Sequence, residues 1–224
     1  FEHAFLPLIQ AAQKAVCAKD AENGVIFNAV NDWPTERIAE GAQDAQYIEV
    51  WPPHETYRDL YLLIQKAKRL APEKSVVLAA YLKPFQSVPD DERMTQAEYA
   101  FCLTTAVILA SGGIQLIHGE EESLLCDSYY AKYAKMRPEF RDTVVRYADF
   151  LVRYAQLLYD DKGYDVSMTA GGGINEDVMA FADGVVFSAD GQAGTVWMIL
   201  RESANRLVLH FVNLTGNDAL WNTP

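Results

Sequence analysis

The sequence predicts an α/β protein in which a parallel sheet is followed by an antiparallel β-domain. Three observations carry that prediction. Apolar runs of strand length recur up to about residue 118 and alternate with stretches of helical periodicity. The runs are apolar almost throughout, as strands read when a parallel sheet is covered by helices. Near residue 165 the composition shifts to Gly, Asp and Thr, and the strands beyond are separated by turn residues alone, the pattern of antiparallel pairing.

Leu6, Leu8, Ile9, Ala12 and Val16 mark a helical stripe over about 4–19, closed by the turn KDAENG. GVIFNAV (24–30) is a strand that ends at Asn31 and Asp32, and a short helix follows Pro34. YIEVW (47–51) is the next strand, and its helix, about 55–70, stops at APEKS. Then come the strand VVLAAYL (76–82), the polar loop KPFQSVPDDER, an apolar helix over 95–110 ended by SGG, and the strand IQLIH (114–118). Four βα units in a row make either a barrel or a doubly wound sheet.

From about 128 to 160 the pattern is long helix. Pro138 opens its second segment, with Val144, Val145, Tyr147, Phe150, Leu151, Tyr154 and Leu157 along the buried side. DKGYDVSMTAGGGINED is a domain linker, and three strands after it begin an antiparallel β-sandwich. The expected domains are therefore 1–165 and 166–224.

Composition narrows the function. Half of the 224 residues are apolar, yet no uninterrupted apolar run approaches the about 18 needed to span a bilayer. The net charge is −12, with no Lys/Arg cluster to follow a phosphate backbone, so neither nucleic acid nor a membrane surface is an expected partner. Cys17, Cys102 and Cys126 lack metal-ligand spacing and read as buried thiols. The chain opens without Met and enters a helix almost at once, as though cut from something longer.

The chemistry centres on QYIEVWPPHETYRDL (46–60), where Glu49 interrupts an apolar strand. Period-two alternation puts Tyr47, Glu49 and Trp51 on one face and Ile48 and Val50 on the other. If the second face meets the helices, Glu49 points toward the sheet's open side near the strand's C-terminal end, where barrel enzymes hold catalytic groups. A carboxyl held between aromatic rings is poorly solvated and can stay protonated as a general acid. Glycoside cleavage needs such an acid and a second carboxylate across the sugar ring. On the residues alone, a paired or solvent-facing Glu49 on an edge strand is an equal reading.

Other residues at strand ends are Asn28, Tyr81, His118 and Glu120, which with Trp51 could wall a substrate cleft. The run Glu120 to Glu122 reads as a solvated charge cluster, and His54 with Glu55 lacks a second ligand pair, so no metal is assigned. GGGINED lacks the Lys of a phosphate loop.

The blocks VIFNAV, YIEVWPPHETYRDLYLLIQKA, VVLAAY, ASGGIQLIHGE and YADFLVRYAQLLYD resemble, in order and spacing, the second half of the catalytic barrel of glycoside hydrolase family 66. TVWMILRESANRLVLHFVNLTGNDALWN resembles the start of that family's C-terminal β-domain. The family holds dextranases and cycloisomaltooligosaccharide glucanotransferases. The resemblance implies strands five to eight of a (β/α)8 barrel and a retaining mechanism on α-1,6-linked glucan without a cofactor. It places the acid/base role on Glu49 and the nucleophilic Asp in a missing N-terminal half, which is the expected partner of this chain.

Dextran hydrolysis is the expected activity. The alternatives are the cyclising transferase, in which a carbohydrate-binding module commonly interrupts the second half of the barrel, and a non-catalytic carbohydrate-binding remnant. A polymeric substrate implies secretion or a cell-surface location, with a signal peptide upstream.

Overall fold

The structure, a computed structural model, describes residues 3–86, 90–119, 121–128, 133–171 and 177–223. β1 (Ile26–Val30), β2 (Ala45–Glu49), β3 (Ser75–Ala79) and β4 (Ile114–Gln115) form a parallel sheet in the order β1-β2-β3-β4. α1 (Phe5–Cys17) precedes β1, and the crossovers carry α2 (Thr35–Ile38), α3 (Tyr57–Leu70) and α4 (Asp91–Ala110). Register aligns Ala29 with Ile48 and Ile48 with Leu78, so the three share a face. There they form one core with Ile9, Ile38, Leu60, Ile64 and Ile108, drawn from all four helices. The helices thus cover the same face. A doubly wound sheet would carry helices on both faces and reverse its strand order, and this sheet does neither.

Local chemistry sets the helix ends. Thr56 and Asp59 make a reciprocal capping box on α3: Thr56 Oγ1 accepts from the Asp59 N–H at 3.1 Å, and Asp59 Oδ2 accepts from the Thr56 N–H at 2.9 Å. Lys68 and Arg69 in the last turn complement the helix dipole. Asp90 caps α4 by accepting from the Arg93 N–H at 2.9 Å. Gly112, at φ +83°, ends that helix, and at Gly113 a Cβ would lie 2.6 Å from Ile64 Cδ1. The bare backbone there lets the end of α4 close onto α3.

Several expected elements change. The strands 47–51, 76–82 and 114–118 stop at Glu49, Ala79 and Gln115, so Trp51, Tyr81 and His118 sit on the loops above them. Pro52 and Pro53 have no N–H to extend the ladder, and Lys83–Phe85 turns into a short 3-10 helix. The helix expected from 128 begins only at α5 (Pro138–Leu158), with Pro138 at its first turn. Before it, β5 (Ser123–Leu125) and β6 (Tyr133–Lys135) pair antiparallel, while residues 129–132 fall outside the described set. Leu124 and Cys126, two apart, are buried with Phe85, Phe101 and Phe140 in a second core, a strand's spacing and not a helix's. α5 buries Phe140, Val144 and Leu158 but leaves Val145, Phe150 and Tyr154 exposed, because among the described residues its neighbours cover only part of its apolar stripe.

The C-terminal part adds β7 (Tyr164–Asp165), β8 (Phe187–Ser188), β9 (Val196–Ser203) and β10 (Arg206–Asn213). β10, β9 and β7 are antiparallel, but β8 runs parallel to β9, which corrects the all-antiparallel expectation. β7 lies before residue 166 yet pairs with β9. Residues 172–176 of the expected linker fall outside the described set. The layer facing this sheet is helical: Trp197, Ile199 and Val212 join the core of Leu60 and Ile64, and Tyr61 of α3 meets the Trp197 ring edge-on at 5.3 Å. Among the described residues no second sheet faces it, and the layer it packs on is helical. No helix among them is long and apolar enough to cross a membrane.

One polar group ties the two parts together. Arg201 of β9, only 4% exposed, donates through Nη1 to the Leu158 carbonyl at the end of α5 and through Nη2 to the Gly163 carbonyl at 3.3 Å. Burial pushes its guanidinium below the ordinary value, opposed by Asp165 and Asp160. Arg201→Met would fill similar space but leave these carbonyls without donors, costing on the order of 2–4 kcal/mol. The expected result is a thermal midpoint several degrees lower, read by calorimetry.

Candidate active site

Strand alternation decides where Glu49 points. Gln46 donates from Nε2 to the Ala67 carbonyl of α3 at 2.7 Å, and Ile48 is fully buried beneath the helices. Tyr47 and Glu49 are therefore driven onto the helix-free face, as the spacing predicts. Glu49 is the last residue of β2 and is 9% exposed.

Neighbouring strands supply its partners. Asn28 Nδ2, from β1, donates to Glu49 Oε2 at 3.0 Å, and Tyr81 Oη, two residues beyond β3, donates to Oε1 at 2.9 Å. Asn28 is in register with Tyr47, which places it on the same face. An ionised carboxylate has about four acceptor sites, so one lone pair on each oxygen stays open for a proton or a substrate oxygen. Burial, then the hydrogen bond to Glu49, push the Tyr81 phenol far above its ordinary value. The Tyr81 phenol therefore keeps its proton at any working pH and can donate it to the carboxylate. Burial and the Glu49 charge also raise the Tyr47 phenol.

Trp51 lies half-buried beyond the strand end and meets the Tyr81 ring edge-on, centroids 6.4 Å apart. The aromatic residue in direct hydrogen-bond contact with Glu49 is thus Tyr81, with Trp51 behind it. His118 is exposed, joins Leu124 through a backbone bridge and makes no hydrogen bond to Glu49. Glu120 lies outside the described residues. The structure therefore gathers Asn28, Glu49, Trp51 and Tyr81 and leaves His118 apart.

Two supports escape the sequence reading. The first is the turn after β1, where Asn31 and Asp32 have φ of 52° and 67° and the Trp33 N–H donates to the Val30 carbonyl at 3.1 Å. The Asn31 N–H donates to the Glu49 carbonyl at 2.8 Å and its Nδ2 to the Pro52 carbonyl at 3.0 Å, which fixes the backbone on both sides of Trp51. Lys66 anchors the turn from α3 through Asp32. Asn-Asp after an apolar strand is a signal for such left-handed turns.

The second is a C-terminal strap. The Trp221 N–H donates to the Glu55 carbonyl at 3.0 Å and Trp221 Nε1 to the His54 carbonyl at 2.9 Å, while the Tyr57 N–H donates to the Ala219 carbonyl at 2.9 Å. Asn222 Oδ1 accepts from the Lys83 N–H at 3.2 Å. The strap so buckles the loop after β2 to the loop after β3. Its polar contacts are mostly backbone, and no local sequence pattern reveals them.

Tyr81→Phe keeps the ring and removes one donor to Glu49. A hydrogen bond to a charged group contributes about 1.5–3 kcal/mol, so kcat should fall by about 10- to 100-fold with KM nearly constant and the circular dichroism unchanged. Equal kcat would show that this contact does not serve the reaction.

The family model described as glycosyl hydrolase family 66 matches residues 1–224. Two curated cycloisomaltooligosaccharide glucanotransferases of Niallia circulans are 31% and 30% identical over 127 residues, 55% of this chain and 12% of each relative. A solved cycloisomaltooligosaccharide glucanotransferase of Paenibacillus sp., complexed with cycloisomaltoheptaose, aligns with a TM-score of 0.83 at 17% identity, over 98% of this chain and 49% of that one. The chain thus spans about half of that structure and a smaller part of the curated relatives. At this identity the structural likeness speaks for the fold.

Proposed function

The chain belongs to glycosyl hydrolase family 66, and from that premise we propose that it is the second half of the catalytic (β/α)8 barrel of a retaining endo-glycosidase acting on α-1,6-linked glucan, with Glu49 as acid/base. The observation that carries this reading is the setting of Glu49: a buried carboxyl at a C-terminal strand end, on the helix-free face, held by Asn28 and Tyr81. The sheet supports the barrel. Consecutive parallel strands with helices on one face form a sector of such a barrel, and its other face exposes Ile26 (55%) and Val30 (49%), which closure would cover.

The reaction is a double displacement. Protonated Glu49 gives its proton to the glycosidic oxygen while an Asp carboxylate, expected from sequence before Phe1, attacks the anomeric carbon. The bond to the departing chain breaks and a glycosyl ester forms. Glu49, now ionised, takes a proton from water, the resulting nucleophile displaces the ester, and the Asp carboxylate is regenerated. No cofactor enters this chemistry.

The cyclising transferase is the second reading, favoured by the names of the relatives. There the chain's own terminal hydroxyl replaces water. Between β3 and β4, however, the described chain holds only the 3-10 turn and α4, with no room for an inserted module, and this favours hydrolysis. Mass analysis of products from dextran distinguishes them: linear isomaltooligosaccharides support the hydrolase, whereas rings, lighter by one water, support the transferase. A non-catalytic remnant would release neither. Because such a polymer is met outside the cell, the enzyme belongs in the secreted or surface-bound class.

A further inference from the structure

Away from Glu49, a cleft of about 540 Å³ opens between the N-terminal half of α4 and the C-terminal strap. Its volume falls in the range of about 300–1,000 Å³ found for ligand clefts. Neither Glu49 nor Asn28, Trp51 or Tyr81 lines it. One wall is a helix face. Arg93, Gln96, Ala97 and Ala100 stand at i, i+3, i+4 and i+7 on α4 and so share a side, with Tyr99 at its edge, 66% exposed. The two alanines leave open the space that longer side chains would take.

The opposite wall is Asn217 and Asp218, in the turn that leads into the strap. Local hydrogen bonds hold it: Asn217 Oδ1 accepts from the Ala219 N–H at 2.6 Å, and Asp218 Oδ1 accepts from the Leu220 N–H at 3.0 Å. Each side chain keeps a second polar atom, Asn217 Nδ2 as donor and Asp218 Oδ2 as acceptor. Among the described residues the Arg93 and Gln96 side chains make no hydrogen bond or ion pair. Arg93 and Asp218 thus line one cleft as opposite charges that do not pair.

We infer that this cleft is a second carbohydrate-binding site, which holds a neutral glucan segment away from the reacting bond; the choice of glucan rests on the proposed function. The two charges cancel, so the lining favours neither an anion nor a cation. Arg93, Gln96 and Asn217 supply donors, and Gln96 and Asp218 supply acceptors. That mixture suits vicinal hydroxyls, each of which both gives and accepts a hydrogen bond. Tyr99 presents an apolar ring to the C–H face of a pyranose. Helix and turn fix both walls before a ligand arrives, which lowers the ordering cost of binding. A polymer gripped here meets Glu49 as a tethered substrate, at raised local concentration. A trisaccharide bound here carries no long tail to the other place.

The test uses the whole enzyme and two glucans. Tyr99→Ala and Arg93→Ala, both at exposed positions, should leave kcat/KM for isomaltotriose unchanged. Each should raise KM for high-molecular-weight dextran by about 5-fold, the scale of one aromatic or hydrogen-bond contact. On a Glu49→Gln background, which leaves the polymer uncut, the same changes should weaken retardation of the protein in a native gel containing dextran. Parent mobility and parent KM in both variants overturn the site. An equal rise of KM on isomaltotriose overturns it too, because the residues would then serve the catalytic cleft. Retardation that depends on Tyr99 and Arg93 in an enzyme that never cleaves dextran keeps the site and removes only the proposed reaction. An enzyme that neither cleaves dextran nor is retarded by it removes the glucan reading, and the site with it.

Discussion

Glu49→Gln in the whole enzyme is expected to lower turnover of dextran by about 10²- to 10⁴-fold, the range for loss of a general acid, while the protein folds and binds glucan as before. The geometry explains why the variant isolates proton transfer. Asn28 can only donate through Nδ2, so the Gln carbonyl takes the place of Oε2 at 3.0 Å. The Gln amide then faces Tyr81, whose hydroxyl can turn from donor to acceptor at the same 2.9 Å contact. Both hydrogen bonds survive and only the labile proton is lost. An aryl leaving group needs little protonation, so its departure should be much less impaired, and the glycosyl ester should accumulate because no base activates water. Unchanged turnover on dextran would falsify the acid/base assignment.

The parts of this site that were legible in the sequence are those governed by strand period. Alternation alone put Tyr47 and Glu49 on one face and Ile48 on the other, and the register of Asn28 and Tyr47 extends that face to the next strand. The four βα units were legible because each strand is a short apolar run and the helices between them show a stripe or a stop signal, as at KDAENG, APEKS and SGG. What period cannot give is the exact strand end. Trp51 and Tyr81 were assigned to strands, but the prolines and the 3-10 turn release them, and release lets the Tyr81 hydroxyl reach back to Glu49.

The missed parts depend on contacts distant in sequence. β6 falls in the stretch from 128 that local pattern assigns to helix, and the burial of the β5–β6 hairpin comes from Phe85, Phe101 and Phe140. The helical layer under β9 follows from Trp197 and Trp221 entering the core of α3, which no local pattern announces. The barrel and the doubly wound sheet share their local signals. Only the packing of all four helices on one face separates them.

Expressed alone, these 224 residues are expected to be inactive on dextran and prone to aggregate. The two halves of this expectation have independent causes. Retaining chemistry needs two carboxylates about 5–5.5 Å apart, and the proposed reaction draws the second from upstream sequence. Solubility is limited by the sheet. Its helix-free face exposes Ile26 (55%), Val30 (49%) and Leu116 (37%), and among the described residues no strand pairs with the outer edges of β1 and β4, each a template for pairing with another chain. α5 adds the exposed Val145, Phe150 and Val152 on its outer side. Four further strands with their helices would cover that face and pair both edges. Co-expression with the upstream half, fused or as a separate chain, should therefore restore a monodisperse protein and hydrolysis together. If the 224 residues alone give a cooperatively melting monomer that cleaves dextran, the sheet is no barrel sector and the second carboxylate must lie within this chain.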